Sequence, residues 1–485
     1  MLTTDTQFLY AELMDVVRLF GEDVPDLSHT FASEGDVFRN TVEVCGQTFR
    51  FEEKQPHDGA LAFKRYAKRF AKLAVYRALE AATGRSMPWG ALTGIRPTKL
   101  AYAELAEGRP FEPLFEKFGV RPANIALVRD VLAAQRGIYA REEGAADLYA
   151  GIPFCPSKCN YCSFITADIT RTGKFVDGYL TALEGEIAAC RGLFSRLRSA
   201  YVGGGTPLVL EPGQLERVLR ALAPLIPAGT EYTVEAGRPD VFTSEKLDLL
   251  RAYGVTRICV NPQSFCDATL ARIGRRHAAA DIYRAYELAR GYGFDINLDL
   301  IAGLTGESAE EFFASIDAAL SLAPENITVH TLCLKKGAKL KEEEHFLAAE
   351  GVERMLAYAR GKLYAAGYVP YYLYRQKYMA GNFENTGWCK PGKACVYNVD
   401  VMEETCDNLA CGANAVTKKL FAGGARIERL GAPKDIPTYI AKAGEVAEKK
   451  RALFTGGGSV RENALKNAES GASNSLQFSE DMVNL

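Results

Sequence analysis

Residues 147–164 read Asp-Leu-Tyr-Ala-Gly-Ile-Pro-Phe-Cys-Pro-Ser-Lys-Cys-Asn-Tyr-Cys-Ser-Phe. A short apolar run ending at Phe154 predicts a strand. Pro156 breaks it at once, and Cys155, Cys159 and Cys162 follow at C-x-x-x-C-x-x-C spacing. Three thiolates are one short of a closed tetrahedral zinc site and an odd number for disulfides. They suit an iron–sulfur cluster, in which thiolates bind iron and one iron stays open to a small molecule. The plainer alternative is three unrelated buried thiols, since free Cys packs as a small hydrophobe. Their tight spacing on a proline-containing loop directly after a strand argues against it.

Outward from this stretch, short apolar runs alternate with amphipathic helical patterns. Strands are predicted near 148–153, 199–204, 231–236, 256–262, 294–301 and 326–333. Helices are predicted between them, over Lys174–Leu193, Gly213–Ala223, Asp281–Tyr292 and Ala309–Leu322. Six strand–helix units in succession predict a parallel sheet, hence a partial (β/α)6 barrel, short of the eight units of a closed one. The fold class is α/β, with the core over 146–335. Residues 1–145 form a small α+β appendage, marked by a hairpin pattern at Thr41–Glu53 and a helix from Ala60 to Ala82. That helix carries Lys64, Arg65, Lys68, Arg69 and Lys72, a solvated face or an anion-binding surface. Trp89–Leu100 is read as a loop without an assigned role. Residues 336–454 form a mainly helical cap. It holds a helix at Glu350–Ala366, a strand-like run at Tyr368–Tyr374 and a polar loop at Gln376–Lys393. Residues 455–485 read as a disordered tail, poor in apolar residues.

Reactive groups in parallel α/β folds gather at the carboxyl ends of strands, and five candidate strands here end in polar or glycine-rich motifs. The first leads into the cysteine loop. The second ends in Gly203-Gly204-Gly205-Thr206-Pro207, where missing side chains let a ligand approach the backbone. The third carries Glu235, costly to bury unless paired. The fourth carries Asn261 and Gln263, the latter able to donate and accept. Arg275, in Gly274-Arg275-Arg276-His277 beyond it, suits a carboxylate. The fifth sets Asp299 within Asn297-Leu298-Asp299-Leu300-Ile301. Any one of these could be a satisfied core group. Together, acceptors for an amine or ribose, a guanidinium for a carboxylate and an open iron fit S-adenosylmethionine lying across the mouth.

The chain has 485 residues, of which 48% are hydrophobic, and a formal net charge of −2. That length predicts two or three domains, and the near-neutral charge argues for neither nucleic acid nor membrane as partner. No apolar run reaches the roughly 18–20 residues of a spanning helix. Met1–Glu22 lacks the basic start and apolar centre of a signal peptide. Twelve cysteines without secretory features point to a reducing cytoplasm, where clustered Cys bind metal or do chemistry. Cys389, Cys395, Cys406 and Cys411 form a looser set, read as ordinary thiols rather than a second cluster. His277 and His330 lie in site-like segments.

The motifs from Tyr149 to Phe164, together with the glycine motif, the Glu235 and Gln263 segments, Ile273–His277 and the Asp299 strand, resemble the radical S-adenosylmethionine enzymes. Within them the chain resembles the oxygen-independent coproporphyrinogen III oxidase-like branch. Leu92-Thr93-Gly94-Ile95-Arg96-Pro97 resembles the coproporphyrinogen dehydrogenase subgroup that carries an extra N-terminal domain. Gly367–Asn385 and Leu409–Thr417 resemble the branch's C-terminal domain. The resemblance implies that Cys155, Cys159 and Cys162 ligate a 4Fe-4S cluster whose fourth iron is chelated by the methionine part of S-adenosylmethionine. It implies that Tyr149 lies near the sulfonium as the catalytic side chain, and Tyr161 near the adenine. Gly204, Gly205 and Thr206 would meet the amino group with Glu235, Arg275 would hold the carboxylate, and Gln263 and Asp299 would meet the ribose. Ile301 completes the implied cofactor-binding set. The implied reaction uses a 5′-deoxyadenosyl radical to abstract hydrogen from a porphyrinogen propionate, with decarboxylation to a vinyl, and a low-potential donor such as flavodoxin or ferredoxin. Two positions depart from the oxidases of the branch: Gly151 stands where they carry His, and Ser163-Phe164 replaces their C-x-C continuation. Haem chaperones of the branch share the second departure, which makes haem the alternative ligand.

Overall fold

The computed structural model describes residues 1–456, except 22, 95, 165, 334–348, 377–378 and 425. The tail expected to be disordered therefore lies, from residue 457, outside the described residues, as does Ile95 of the Thr93–Pro97 motif. The chain divides into two compact units, residues 1–130 with 374–384, and residues 131–373 with 385 onward. The expected boundary at 145/146 thus falls at 130/131, within the helix Pro122–Ala134.

The first unit holds a four-stranded sheet, β1 (Leu2–Thr4), β2 (Leu27–Glu34), β3 (Val37–Val44) and β4 (Gln47–Lys54), in sequential order. The β3–β4 turn is Cys45-Gly46, with φ of 52° and 73°, the left-handed pair that a two-residue hairpin requires. The helix Gly59–Thr83 packs its apolar face on this sheet through Phe63 and Phe70, whose rings each lie 5.5 Å from that of Phe38. Its basic residues are not all solvated. Lys68 and Lys72 pair with Glu12, and Lys72 is buried, donating to the Thr93 carbonyl at 3.1 Å. Trp89–Leu100 is not wholly a loop, because Pro97, preset for a first helical turn, starts a helix over Pro97–Ala106.

The second unit is built on one eleven-stranded sheet. Its centre is β5 (Ala145–Ile152), β8 (Arg196–Gly204), β9 (Glu231–Gly237), β10 (Arg257–Gln263), β11 (Asp295–Ala302) and β12 (Asn326–Thr331). These six are parallel neighbours in that order. Two-residue strands β6 (Phe154–Cys155) and β7 (Ala167–Asp168) pair with each other beyond the end of β5. The helices Val176–Ala188, Pro212–Leu222, Ser244–Ala252, Ala279–Arg290 and Ala309–Leu322 fill the crossovers. This is the partial (β/α)6 barrel of an α/β protein. Most of each strand is buried, which is why these parallel strands read as near-continuous apolar runs.

The cap residues join the same sheet. β14 (Asn385–Cys389) runs antiparallel to β12 with β13 (Val369–Tyr374) outside it. On the other edge β15 (Asp407–Cys411) runs parallel to β5, followed by β16 (Val416–Phe421) and β17 (Arg426–Gly431). The polar loop expected over 376–393 therefore contains a strand. Its polar residues are buried by ladder pairing, and Asn385 Oδ1 accepts from the Thr331 amide at 2.7 Å. Helices Ala349–Ala365, Val396–Glu403 and Ile436–Thr455 supply most of the cap's regular residues.

Candidate active site

The register of the parallel strands brings the predicted motifs to one edge. Ile152 pairs with Gly204 and Val260 with Gly237, while Ile301 pairs with His330. The cysteine loop leaves β5 next to the glycine motif that leaves β8. The Gly205 amide donates to Ile152 O at 2.7 Å and the Thr206 amide to Phe154 O at 2.8 Å. A Cβ on Gly205 would lie 2.5 Å from Phe154 O, so only glycine permits this approach. Thr206 Oγ1 lies 3.6 Å from Cys155 Sγ.

Cys159 is buried, and Cys155 and Cys162 are half-buried. Burial pushes the Cys155 thiol up to about 11; the Thr206 hydroxyl opposes this, and the neighbouring Cys162 and Cys159 add to it. Among the described residues one set of three potential metal donors converges within 4.8 Å, Asp147, Asp400 and Cys406.

Arg238 and Asn160, to which the sequence assigned no role, brace the loop together with Arg275. Arg238, buried just after β9, forms a two-pronged pair with Asp240 (2.9 and 2.8 Å) and donates to Ser157 Oγ at 2.6 Å. Asn160 Nδ2 donates to Arg272 O at 3.0 Å, and the Asn160 amide donates to Ile273 O at 3.0 Å. Arg275 Nη2 donates to Tyr161 Oη at 3.2 Å and Nη1 to the Asn261 carbonyl, leaving its buried Nε without a partner. Only the Arg-Pro-Asp run directly after a strand signalled the first of these braces. The Asn160–Arg272 and Arg275–Tyr161 braces join residues more than a hundred positions apart.

Tyr161 packs against the cluster of Leu270, Ile273, Ile282, Ile301, Leu304 and Leu332, which brings the two predicted apolar contacts, Tyr161 and Ile301, together. Gln263 sits at φ 69° after a register shift at Val260. A bulge re-aims a side chain, and a non-glycine residue in this region costs about 1–3 kcal/mol and marks functional sites. The buried Gln263 Oε1 has no partner.

Tyr149, Tyr201 and Tyr397 stack, with ring centroids 6.3 Å apart for Tyr149–Tyr201 and 4.4 Å for Tyr201–Tyr397. Burial pushes the Tyr149 hydroxyl pKa up, and the charge of Glu235 pushes it further. Tyr201 donates to Glu235 Oε1 at 2.6 Å. Burial raises the Glu235 carboxyl to about 7, opposed by the Tyr201 hydrogen bond and raised further by the charge of Asp299. Asp299 accepts from Asn297 Nδ2 at 2.7 Å. Among the described residues neither carboxylate has a lysine or arginine at ion-pair distance. The basic group at that range is His330, 3.9 Å from Asp299, and burial pulls its pKa down. Glu235 and Asp299 are thus close enough for the charge of one to raise the carboxyl of the other, without a fixed lysine or arginine beside either.

The sequence and the fold are similar to those of known proteins. Residues 149–319 match the Radical SAM superfamily model. The chain is 36% identical over 380 residues to the oxygen-independent coproporphyrinogen-III oxidase-like protein HemZ of Bacillus subtilis, covering 74% of this chain and 76% of that protein. It is 30% identical over 286 residues to the heme chaperone HemW of Escherichia coli, covering 57% and 71%. The solved structure of coproporphyrinogen III oxidase HemN from Escherichia coli, described as a radical SAM enzyme, superposes with a TM-score of 0.52. It has 24% identity and covers 64% of this chain and 72% of that one, a likeness of fold. The chain is a radical SAM protein, and the cofactors of that family are a 4Fe-4S cluster and S-adenosylmethionine. Within that superfamily the chain belongs to the oxygen-independent coproporphyrinogen III oxidase-like branch.

Proposed function

We propose that the protein oxidatively decarboxylates two propionates of coproporphyrinogen III to vinyls, giving protoporphyrinogen IX. The reading rests on the family, on HemZ similarity extending well beyond the barrel, and on the carboxylate pair Glu235–Asp299 without a cation. Bound together, the cluster and S-adenosylmethionine supply one-electron hydrogen-abstraction chemistry; the chain supplies position and exclusion.

In this proposal Cys155, Cys159 and Cys162 hold three irons, with the loop fixed by Arg238, Asn160 and Arg275. Gly204, Gly205 and Thr206 present backbone to the amino end of S-adenosylmethionine. Glu235, aimed by Tyr201, accepts a hydrogen bond from that amino group. Arg275, already spending two donors on Asn261 and Tyr161, offers Nε to the carboxylate. Gln263 and Asp299 meet the ribose, and Tyr161 and Ile301 flank the adenine. Tyr149, beside Glu235 at the glycine shelf, lies by the sulfonium. A low-potential one-electron donor of the flavodoxin or ferredoxin kind completes the reading. Similarity to HemW over 71% of its length, with Gly151 and Ser163 at the divergent positions, favours a second reading in which the same mouth binds and transfers haem.

Anaerobic incubation of reconstituted protein with reductant, S-adenosylmethionine and coproporphyrinogen III separates the two. Decarboxylated product with matching 5′-deoxyadenosine supports the first. Cleavage without decarboxylation, with tight haem binding, removes the first in favour of the second.

A further inference from the structure

None of the cysteines outside the loop enters that reading. Cys395 and Cys406 donate to carboxylates, Glu231 at 3.2 Å and Asp147 at 3.3 Å, and Cys389 is buried in β14. The looser C-terminal set does not converge as a ligand group. Cys411 differs from the other three. Cys190, two residues past the helix Val176–Ala188, and Cys411, the last residue of β15, hold their sulfurs 3.5 Å apart, and neither is exposed to solvent.

An ammonium faces this thiol pair. Lys450, on the helix Ile436–Thr455, places Nζ 3.2 Å from Cys411 Sγ and 3.9 Å from Cys190 Sγ. The same Nζ donates to Glu186 Oε1 at 2.8 Å and to Ala410 O at 2.9 Å. Glu186 Oε2 is held by Tyr439 Oη at 2.6 Å and by the Gly412 amide at 2.9 Å. A carboxylate beside a thiol keeps its proton on, whereas a cation favours the nucleophilic thiolate. The two thiols differ: the contact with Cys411 and the Lys450 ammonium draw the Cys190 thiol down against burial and Glu186, whereas that same contact and burial hold the Cys411 thiol up. Cys190 is therefore the attacking sulfur, and the resolving one is already in contact.

We infer that Cys190 and Cys411 are a reversible redox pair whose oxidant is a small hydroperoxide. The Cys190 sulfur attacks one peroxide oxygen and the O–O bond breaks. Cys190 then carries S–OH, and the displaced oxygen leaves as water with one thiol proton. The Cys411 sulfur displaces that hydroxyl, the S–S bond forms, and a second water leaves with the second thiol proton. Two electrons pass from the thiols to the peroxide, and no further reactant is needed. Burial admits hydrogen peroxide during local opening and excludes bulky reagents.

The pair adjoins the strand that carries the cluster loop. Cys411 pairs in register with Ala150 of β5. A Cβ on Gly412 would lie 2.7 Å from Gly151 O, and Tyr179 donates to that same carbonyl at 2.5 Å. A cross-link here ties the helix Val176–Ala188 to β15 directly alongside β5.

The test treats the full-length reconstituted protein with a few equivalents of hydrogen peroxide. The protein is quenched with N-ethylmaleimide in denaturant, digested without reductant, and its peptides are mapped by mass spectrometry. The expected result is a Cys190–Cys411 cross-linked peptide that a thiol reductant dissolves, with neither residue labelled by maleimide in the native state. Cys190→Ser is expected to remove the cross-link without moving Cys411 to another partner. Recovery of both residues as maleimide adducts, at peroxide levels that oxidise other cysteines, overturns the inference. Linkage of Cys411 elsewhere also overturns it. The wild-type map decides by itself should the variant fail to fold, and its outcome is independent of porphyrinogen chemistry.

Discussion

The parallel strands carry ionisable residues at both ends, and the two ends of the sheet treat them differently. At the amino edge three of four carboxylates, Asp400, Glu231 and Asp295, have a lysine or arginine within ion-pair distance. Asp400 takes Arg198 at 2.6 and 3.0 Å, and Asp147 accepts from Ser199 at 2.6 Å. Glu231 accepts from Cys395 and the Tyr397 amide, both at 3.2 Å, and Asp295 takes Lys393 at 2.7 Å. At the carboxyl edge neither Glu235 nor Asp299 has a lysine or arginine at ion-pair distance among the described residues, and the charge of Asp299 raises the Glu235 carboxyl. Nearby Gln263 Oε1, Asn261 Oδ1 and Arg275 Nε are buried without partners. Buried polar atoms without partners occur at both edges, Arg257 Nε and Thr233 Oγ1 at the amino one, so the difference between the edges is one of fixed cations. In the proposed reading the amino edge serves stability and the carboxyl edge chemistry.

The largest expected effect is at the loop. Cys159→Ala should reduce bound iron and the broad iron–sulfur absorbance of reconstituted protein to background, since its thiolate is one of only three. Full retention of the cluster in this variant removes the proposed ligand set. Next comes the amino edge. Arg198→Met leaves Asp400 buried and unpaired beside Asp147, which costs about 3–5 kcal/mol. It should appear as a marked drop in Tm with S-adenosylmethionine affinity changed less than about twofold per site. A variant of unchanged Tm, or one that loses ligand affinity while staying folded, blurs the distinction between the edges. Smaller still, Asp299→Ala should weaken S-adenosylmethionine binding about tenfold, the scale of one charge-assisted hydrogen bond, with the cluster spectrum intact. An unchanged dissociation constant takes Asp299 out of the site.

Much of this was legible in the sequence because the site lies on buried parallel strands. The apolar runs at 231–236 and 294–301 mark β9 and β11 to within a residue, and Ala309–Leu322 coincides with its helix. Glu235 and Asp299 stood out as carboxylates interrupting those runs. What could not be read depends on distant pairing. Tyr201 looked like one more apolar strand residue, yet its hydroxyl aims Glu235. Tyr397 comes from the cap, almost two hundred positions further on, to stack on it. β14 was read as a loop because Asn385 and Thr386 are polar; the partner that buries them, β12, is nearly sixty residues away. Cys190 gave no local signal, and its meaning came only from Cys411 and Lys450.

The central claim is that the carboxyl edge is an anionic seat completed by a cationic cofactor, and Glu235 tests it most directly. Its carboxyl sits near 7, raised above its ordinary value, so it is largely protonated at pH 6 and ionised at pH 8. The ionised form is the better acceptor for the cofactor's amino group and the counter-charge to its sulfonium, so affinity should rise with pH, up to about tenfold across that range. Anaerobic calorimetric titration of the cluster-loaded protein with S-adenosylmethionine at both pH values measures this. The expected result is tighter binding at pH 8 in wild type, with the pH dependence lost and affinity lowered in Glu235→Gln. Equal affinity at both pH values in wild type, or a Glu235→Gln variant that binds as wild type does, would contradict the claim.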